Sequence, residues 1–242
     1  MNDATRRPRR RTTKANQDSV DRWAAAVRHL KRVDPHLKII IDRVGPCRLE
    51  PYPNRFAALV RSIVSQQIST KAAQSINLKL IALAGDPPRP DHLIKLGETQ
   101  LRTVGLSGAK ARYVLNLAEA VVSGEVPLEQ FDDTWDDQTI IRSLSAVKGI
   151  GVWTAEMFLI FVMNRPDVFP VGDLGVRVAL RDRHGLAELP APRDCHALAE
   201  QWRPYRTVAS WYIWRGGDTP KPAKAPASEV NKRSARRKKI SD

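Results

Sequence analysis

Residues Leu144–Arg177, LSAVKGIGVWTAEMFLIFVMNRPDVFPVGDLGVR, decide how this chain is read. Gly149 and Gly151 flank Ile150, and the segment from Val152 to about Met163 is apolar with a helical pattern. A loop bounded by Pro166 and Pro170 follows, and Asp173 then stands directly after Gly172. Glycines allow positive φ and close approach of a ligand, while a helix start offers free N–H groups and a positive dipole. Together these suit a phosphate. Ile150 would turn inward as the anchor, Lys148 would add a charge, and the backbone through Val152 would complete the grip. A tight turn between two packed helices carries the same glycines, so the returning acid gives the segment its interest. Asp173 also fits a plain helix N-cap, since a helical pattern runs from it to about Arg183; the two roles are compatible.

Outward from this stretch the pattern stays helical. Trp23, Ala26, Val27 and Leu30 fall at helical spacing, as do Leu37, Ile40, Ile41 and Val44 after Pro35. Asn54 is an N-cap candidate for a helix carrying Phe56, Leu59, Val60, Ile63 and Val64; Ser69 caps the next after the polar interruption Ser65–Thr70. Short helices are expected near Asp91–Leu96 and Glu98–Val104, and Ser107 starts a longer one stopped by Gly124. The last helices carry Leu198 and Trp202, then Val208, Trp211, Tyr212 and Trp214. No stretch alternates with period two, so the chain is expected to be all-α, with about ten to twelve short helices. Trp202 and Trp211 read as core.

Composition narrows the function. The net charge is +14, but residues 1–14 hold six basic and one acidic side chains, and residues 221–242 hold eight basic and two acidic. The domain between them, residues 18–218, is nearly balanced; segments 1–17 and 219–242 read as disordered basic tails. Polyphosphate is their natural partner, because neutralising phosphates releases condensed counterions; a membrane surface or an import receptor also accepts such runs. No run of eighteen apolar residues suggests a membrane span, and the expectation is an intracellular protein, cytoplasmic or nuclear according to source. Cys47 and Cys195 are too few for a four-cysteine iron–sulfur cluster, and the five histidines show no ligand spacing.

The pattern LxxVKGIGxWTAEMFLIF followed by FPVGDLGV resembles the helix–hairpin–helix (HhH-GPD) DNA glycosylases, in particular the 3-methyladenine DNA glycosylase II (alkylpurine glycosylase) branch. The likeness extends through LVRSIVSQQIST at Leu59–Thr70, GLSGAKARYVLNLA at Gly105–Ala118 and WRPYRTVASWYIWR at Trp202–Arg215, covering roughly residues 50–216. It implies two helical subdomains with the active-site cleft between them and the hairpin within 144–163. The residues before the match look helical, where some family members carry an extra β domain.

The resemblance places the catalytic aspartate on Asp173, facing the sugar C1′ of an extruded nucleotide and stabilising an oxocarbenium-like sugar. The family's frequent Asp-Asp pair is Gly172-Asp173 here. Related bifunctional enzymes carry a Schiff-base lysine at the second residue after the hairpin. This chain has Trp153, which implies hydrolysis to an abasic site without strand cleavage. An indole face also suits a cationic alkylated base such as 3-methyladenine or 7-methylguanine, by roughly 0.5–2 kcal/mol. Trp214 matches a second pocket aromatic. Met157 and Leu174 stand where the family resembles an aromatic cage, so a less aromatic pocket is expected, with Glu156 at its mouth or on an exposed helix face. The intercalating wedge falls on Gln67 or Ile68, after Gln66; a surface turn is the alternative. Gly108 and Lys110 would meet a second phosphate. No cofactor is implied beyond a monovalent cation at the hairpin carbonyls, and the partner is double-stranded DNA containing alkylated bases, met by a monomer. Two other functions share many of these features: a non-catalytic helix–hairpin–helix DNA-binding protein, and a glycosylase for oxidised or mismatched bases.

Overall fold

The N-cap and proline signals do open helices in the computed structural model, which describes residues 14–218. Asn54 accepts from the Ala57 N–H at 2.8 Å and starts α3 (Arg55–Ser65), and Ser69 accepts from Ala72 at 3.2 Å at the start of α4 (Thr70–Ala84). Ser107 does the same for α6 (Gly108–Val122). Gly97, at φ 71°, breaks α5 (Pro90–Thr103) into the two expected pieces. The other helices are α1 (Lys14–Val33), α2 (Pro35–Val44), α7 (Asp137–Ala146), α8 (Val152–Phe161), α9 (Leu174–His184), α10 (Pro192–Ala199) and α11 (Arg206–Asp218). Short 3-10 turns lie at Leu128–Gln130 and Glu200–Trp202, and there is no strand among the described residues. The chain is all-α. Helix α1 begins at Lys14, ahead of the boundary expected at residue 18, and the two basic tails lie otherwise outside the described residues.

Helices α3–α8 pack on one another, while α1 and α2 pack with α9, α10 and α11. The chain therefore begins in one subdomain, builds the second, and returns after α8. One apolar cluster runs through both, from Trp23 and Leu30 through Ile63, Leu117 and Phe158 to Trp202 and Tyr212. Both cysteines are buried within it, and burial pushes the Cys47 thiol up to about 12, so neither reads as a nucleophile.

The return to the first subdomain is held by two acids, one buried and one half-buried. Asp34 caps α2 through the N–H groups of His36 and Leu37, both at 3.0 Å. It also accepts from Trp202 Nε1 at 2.7 Å and pairs with Arg183 at 2.9 Å, both side chains being almost fully buried. Asp167, in the loop between α8 and α9, accepts from Arg206 Nε at 2.8 Å and Nη2 at 2.9 Å. Thr207 Oγ1 donates to the Arg165 carbonyl at 2.6 Å and accepts the Val168 N–H at 3.0 Å. These bonds seat the loop that leads to Asp173 on the start of α11. Replacing Asp34 with alanine strands the buried Arg183 guanidinium and an indole N–H, and is expected to cost about 3–5 kcal/mol in urea unfolding. A loss of about 1 kcal/mol or less would show that these bonds do not hold α2, α9 and the Trp202 turn together.

Candidate active site

Helix α8 carries the site's wall because its apolar residues run all the way round, so it is buried against both subdomains. Trp153, Met157 and Phe161, each four residues apart, line a cleft of about 790 Å³ together with Thr154 and Phe158. From the other side come Asp173, at the start of α9, and Trp214 on α11; Arg61, Ser62 and Ser65 of α3 and Gln66 and Gln67 of the following turn close it. The volume lies within the roughly 300–1,000 Å³ usual for small-molecule sites.

Asp173 is the focus of this cleft. Its Oδ2 accepts from Trp153 Nε1 at 3.0 Å, and its Oδ1 accepts from Trp214 Nε1 at 3.1 Å and from the Val176 N–H at 3.0 Å. The N-cap role expected for Asp173 is thus present, and the carboxylate is also clamped by two indoles from different helices. Gly175 leaves the space this needs: a Cβ there would come within 3.1 Å of Asp173 Oδ1 and 3.7 Å of the Trp214 ring. The sequence gives no hint that Trp153 and Trp214 share one partner, since the second pairing closes across 41 residues.

The pocket is more aromatic than expected. Phe161 stacks on Trp214, with ring centroids 5.6 Å apart and planes 28° from parallel, and Tyr52 adds a further ring under the Arg61 guanidinium. Phe161 lies on the same α8 face as Trp153 and Met157, a spacing that could have revealed it. Met157 does line the cleft. Leu174 is 62 % exposed and absent from the lining, because the first residue of α9 diverges from its N-cap neighbour. Glu156 is neither on an exposed helix face nor on the lining; it is buried on α8 beside the Trp153–Met157 row. Burial, and secondarily the charge of Asp173, raises its carboxyl from 4.5 to about 7.

The hairpin has the expected shape. Gly149 sits at φ 109°, and a Cβ there would lie 2.3 Å from the Tyr113 ring, so only glycine fits. Ile150 is buried, while Lys148, Gly151 and Val152 are exposed at the start of α8. The Lys148 and Gly149 carbonyls accept side-chain amide N–H groups from Asn116 at 3.2 Å and Gln66 at 3.0 Å. These oxygens already have donors, so a cation there would have to share them, and no step below uses one. Lys110 differs from expectation: its ammonium donates to the Val64 and Gln66 carbonyls, each at 2.6 Å, and a phosphate would compete with both. Gly108, at the start of α6, is partly exposed. Gln67 lines the cleft with φ 54°, and Ile68 is 37 % exposed in the same turn.

The cleft of this all-helical fold thus has a glycine hairpin at one lip and a clamped aspartate at the other. The chain belongs to the HhH-GPD superfamily of base excision DNA repair proteins, whose family model matches residues 60–204. It is 34 % identical over 196 residues to DNA-3-methyladenine glycosylase 1 of Schizosaccharomyces pombe, covering 77 % of this chain and 84 % of that one. The alkylbase DNA glycosidase-like protein mag2 of the same yeast is 30 % identical over 198 residues, 80 % of this chain and 93 % of its own length. A solved structure of S. pombe 3-methyladenine DNA glycosylase (Mag1) in complex with abasic DNA superposes with a TM-score of 0.73 at 31 % identity, covering 83 % of this chain and all of that one.

The raised Glu156 pKa has a stability signature. The folded chain binds this proton more tightly than the unfolded one, so the stabilisation is fully present below about pH 4.5 and is lost as pH rises through about 7. Urea unfolding at about pH 5 and about pH 8 should show the unaltered protein losing stability relative to Glu156→Gln at the higher pH. A difference independent of pH would mean that Glu156 stays charged in the fold.

Proposed function

We propose that this chain is a monofunctional DNA glycosylase that extrudes alkylated, cationic purines and hydrolyses their N-glycosidic bond, leaving an abasic site. The observation that carries this reading is the clamped Asp173 carboxylate on the wall of an aromatic cleft. The extruded base would lie among Trp153, Phe161 and Trp214, whose π faces attract a cationic ring. The C1′–N bond breaks heterolytically. Its electron pair leaves with the base, neutralising the base's positive charge, so no acid need protonate it. Positive charge grows on C1′ and the ring oxygen, where Asp173 opposes it from a fixed position. Water then adds to C1′, and its proton passes to the carboxylate or to solvent.

The residue types also support the hydrolytic form. Trp153 holds the position where bifunctional relatives use a lysine, and the described cleft lining contains no lysine that could form a Schiff base. Lys148, the Gly149–Gly151 hairpin and Val152 would grip the DNA backbone, with Gln67 and Ile68 beside the extruded nucleotide. DNA as partner is supported by the relative solved with abasic DNA. The non-catalytic alternative needs none of the geometry around Asp173.

Asp173→Asn keeps the size and the capping oxygen and removes the charge. Single-turnover release of 7-methylguanine should fall by about 10²–10³-fold or more, with duplex affinity nearly unchanged. Release at the original rate would sink the enzymatic role of Asp173 and favour the DNA-binding alternative.

A further inference from the structure

The turn after α3 is held from two directions, and its central residue is in a conformation that needs holding. Gln67 has φ 54°, in the left-handed region that a side chain with a Cβ seldom adopts without support. On one side the Lys110 ammonium, reaching from the first turn of α6, donates to the carbonyls of Val64 and Gln66 at 2.6 Å each. The C-terminal end of α3 is where unpaired carbonyls and the negative helix dipole favour a cation. On the other side Gln66 Nε2 donates to the Gly149 carbonyl at 3.0 Å, tying the turn to the hairpin. Lys110 makes no ion pair among the described residues, and desolvation lowers its pKa below the ordinary lysine range. The cation serves the turn and not a carboxylate.

We propose that Lys110 is a positioning residue for base extrusion, holding the Ser65–Ser69 turn in the shape that presents Gln67 to the vacated stack. This rests on the glycosylase reading above. A turn already ordered in its working shape loses little entropy when it enters the duplex; a slack turn must be ordered at that moment. The gain therefore falls on extrusion, not on the grip of the hairpin on the backbone. Because Gln66 joins the same turn to Gly149, the wedge is registered against the element that holds the phosphates, and extrusion occurs at a set distance from that grip.

The test uses the full chain, with Lys110→Met, which keeps the length without the donors, and Lys110→Arg, which restores a cationic donor. Single-turnover release of 7-methylguanine is measured from a fully paired duplex and from one with the lesion opposite a stable abasic analogue, where the base is already poorly held. Lys110→Met should slow release from the paired duplex by about tenfold or more and from the second by less than about threefold, with Lys110→Arg recovering most of the difference. Affinity for undamaged duplex should be unchanged at low and high salt. Equal loss on both duplexes would overturn the proposal in favour of general structural damage. Weaker duplex binding with a shallower salt slope would overturn it in favour of a phosphate contact. No release from either duplex by the unaltered protein would remove the glycosylase reading itself, and this role with it.

Discussion

The two indole N–H bonds to Asp173 are the contact on which the rest of the site depends. They bring together α8, the start of α9 and α11, the three elements that wall the cleft. A carboxylate accepting from two tryptophans and from its own helix start has little freedom to turn, and little reorganisation is then left for the moment charge develops beside it. The same indoles line the cleft, so each tryptophan both fixes the acid and shapes the wall beside it. Phenylalanine at position 153 or 214 would keep the aromatic lining and remove one of the three hydrogen bonds to Asp173.

Behind this contact stand the polar anchors that bring α9 and α11 back to the first helices. Asp34 joins α2, α9 and the 3-10 turn at Trp202; Asp167 and Thr207 seat the loop between α8 and α9 on α11. Remove either and the aspartate and its second tryptophan are no longer positioned by the same body. At the opposite lip, Gly149, packed on Tyr113 and bonded to Gln66, and Lys110 under the turn do the equivalent for the hairpin and the Ser65–Ser69 turn. The cleft is therefore framed by elements far apart in sequence and tied by a small number of directional bonds.

Much of the fold was legible from local chemistry: Asn54, Ser69 and Ser107 cap the helices they appear to cap, and the break at Gly97 lies between the two short helices expected there. Asp173 stood out because it follows a glycine at the start of a helical pattern downstream of the hairpin. What stayed hidden were partners set by tertiary packing. Lys110 looks free in the sequence, yet its donors are spent on carbonyls 44 and 46 residues away. Leu174 matches a pocket position in the family resemblance, but the turn of the helix carries it to the surface. Glu156 is one step off the row that faces the cleft, which is enough to bury it elsewhere and hold its proton more tightly. Phe161 follows Met157 at the same spacing as Met157 follows Trp153, a signal that packing turns into a third residue of the cleft wall.

In the proposed mechanism a fixed carboxylate, with no amine nucleophile, breaks the glycosidic bond. Borohydride added during turnover of a duplex containing 7-methylguanine tests it most directly, because it traps any Schiff base between protein and sugar. The expected products are free base and an abasic strand that stays intact until treated with alkali, with no covalent adduct. A trapped adduct, or strand cleavage that keeps pace with base release, would contradict that mechanism.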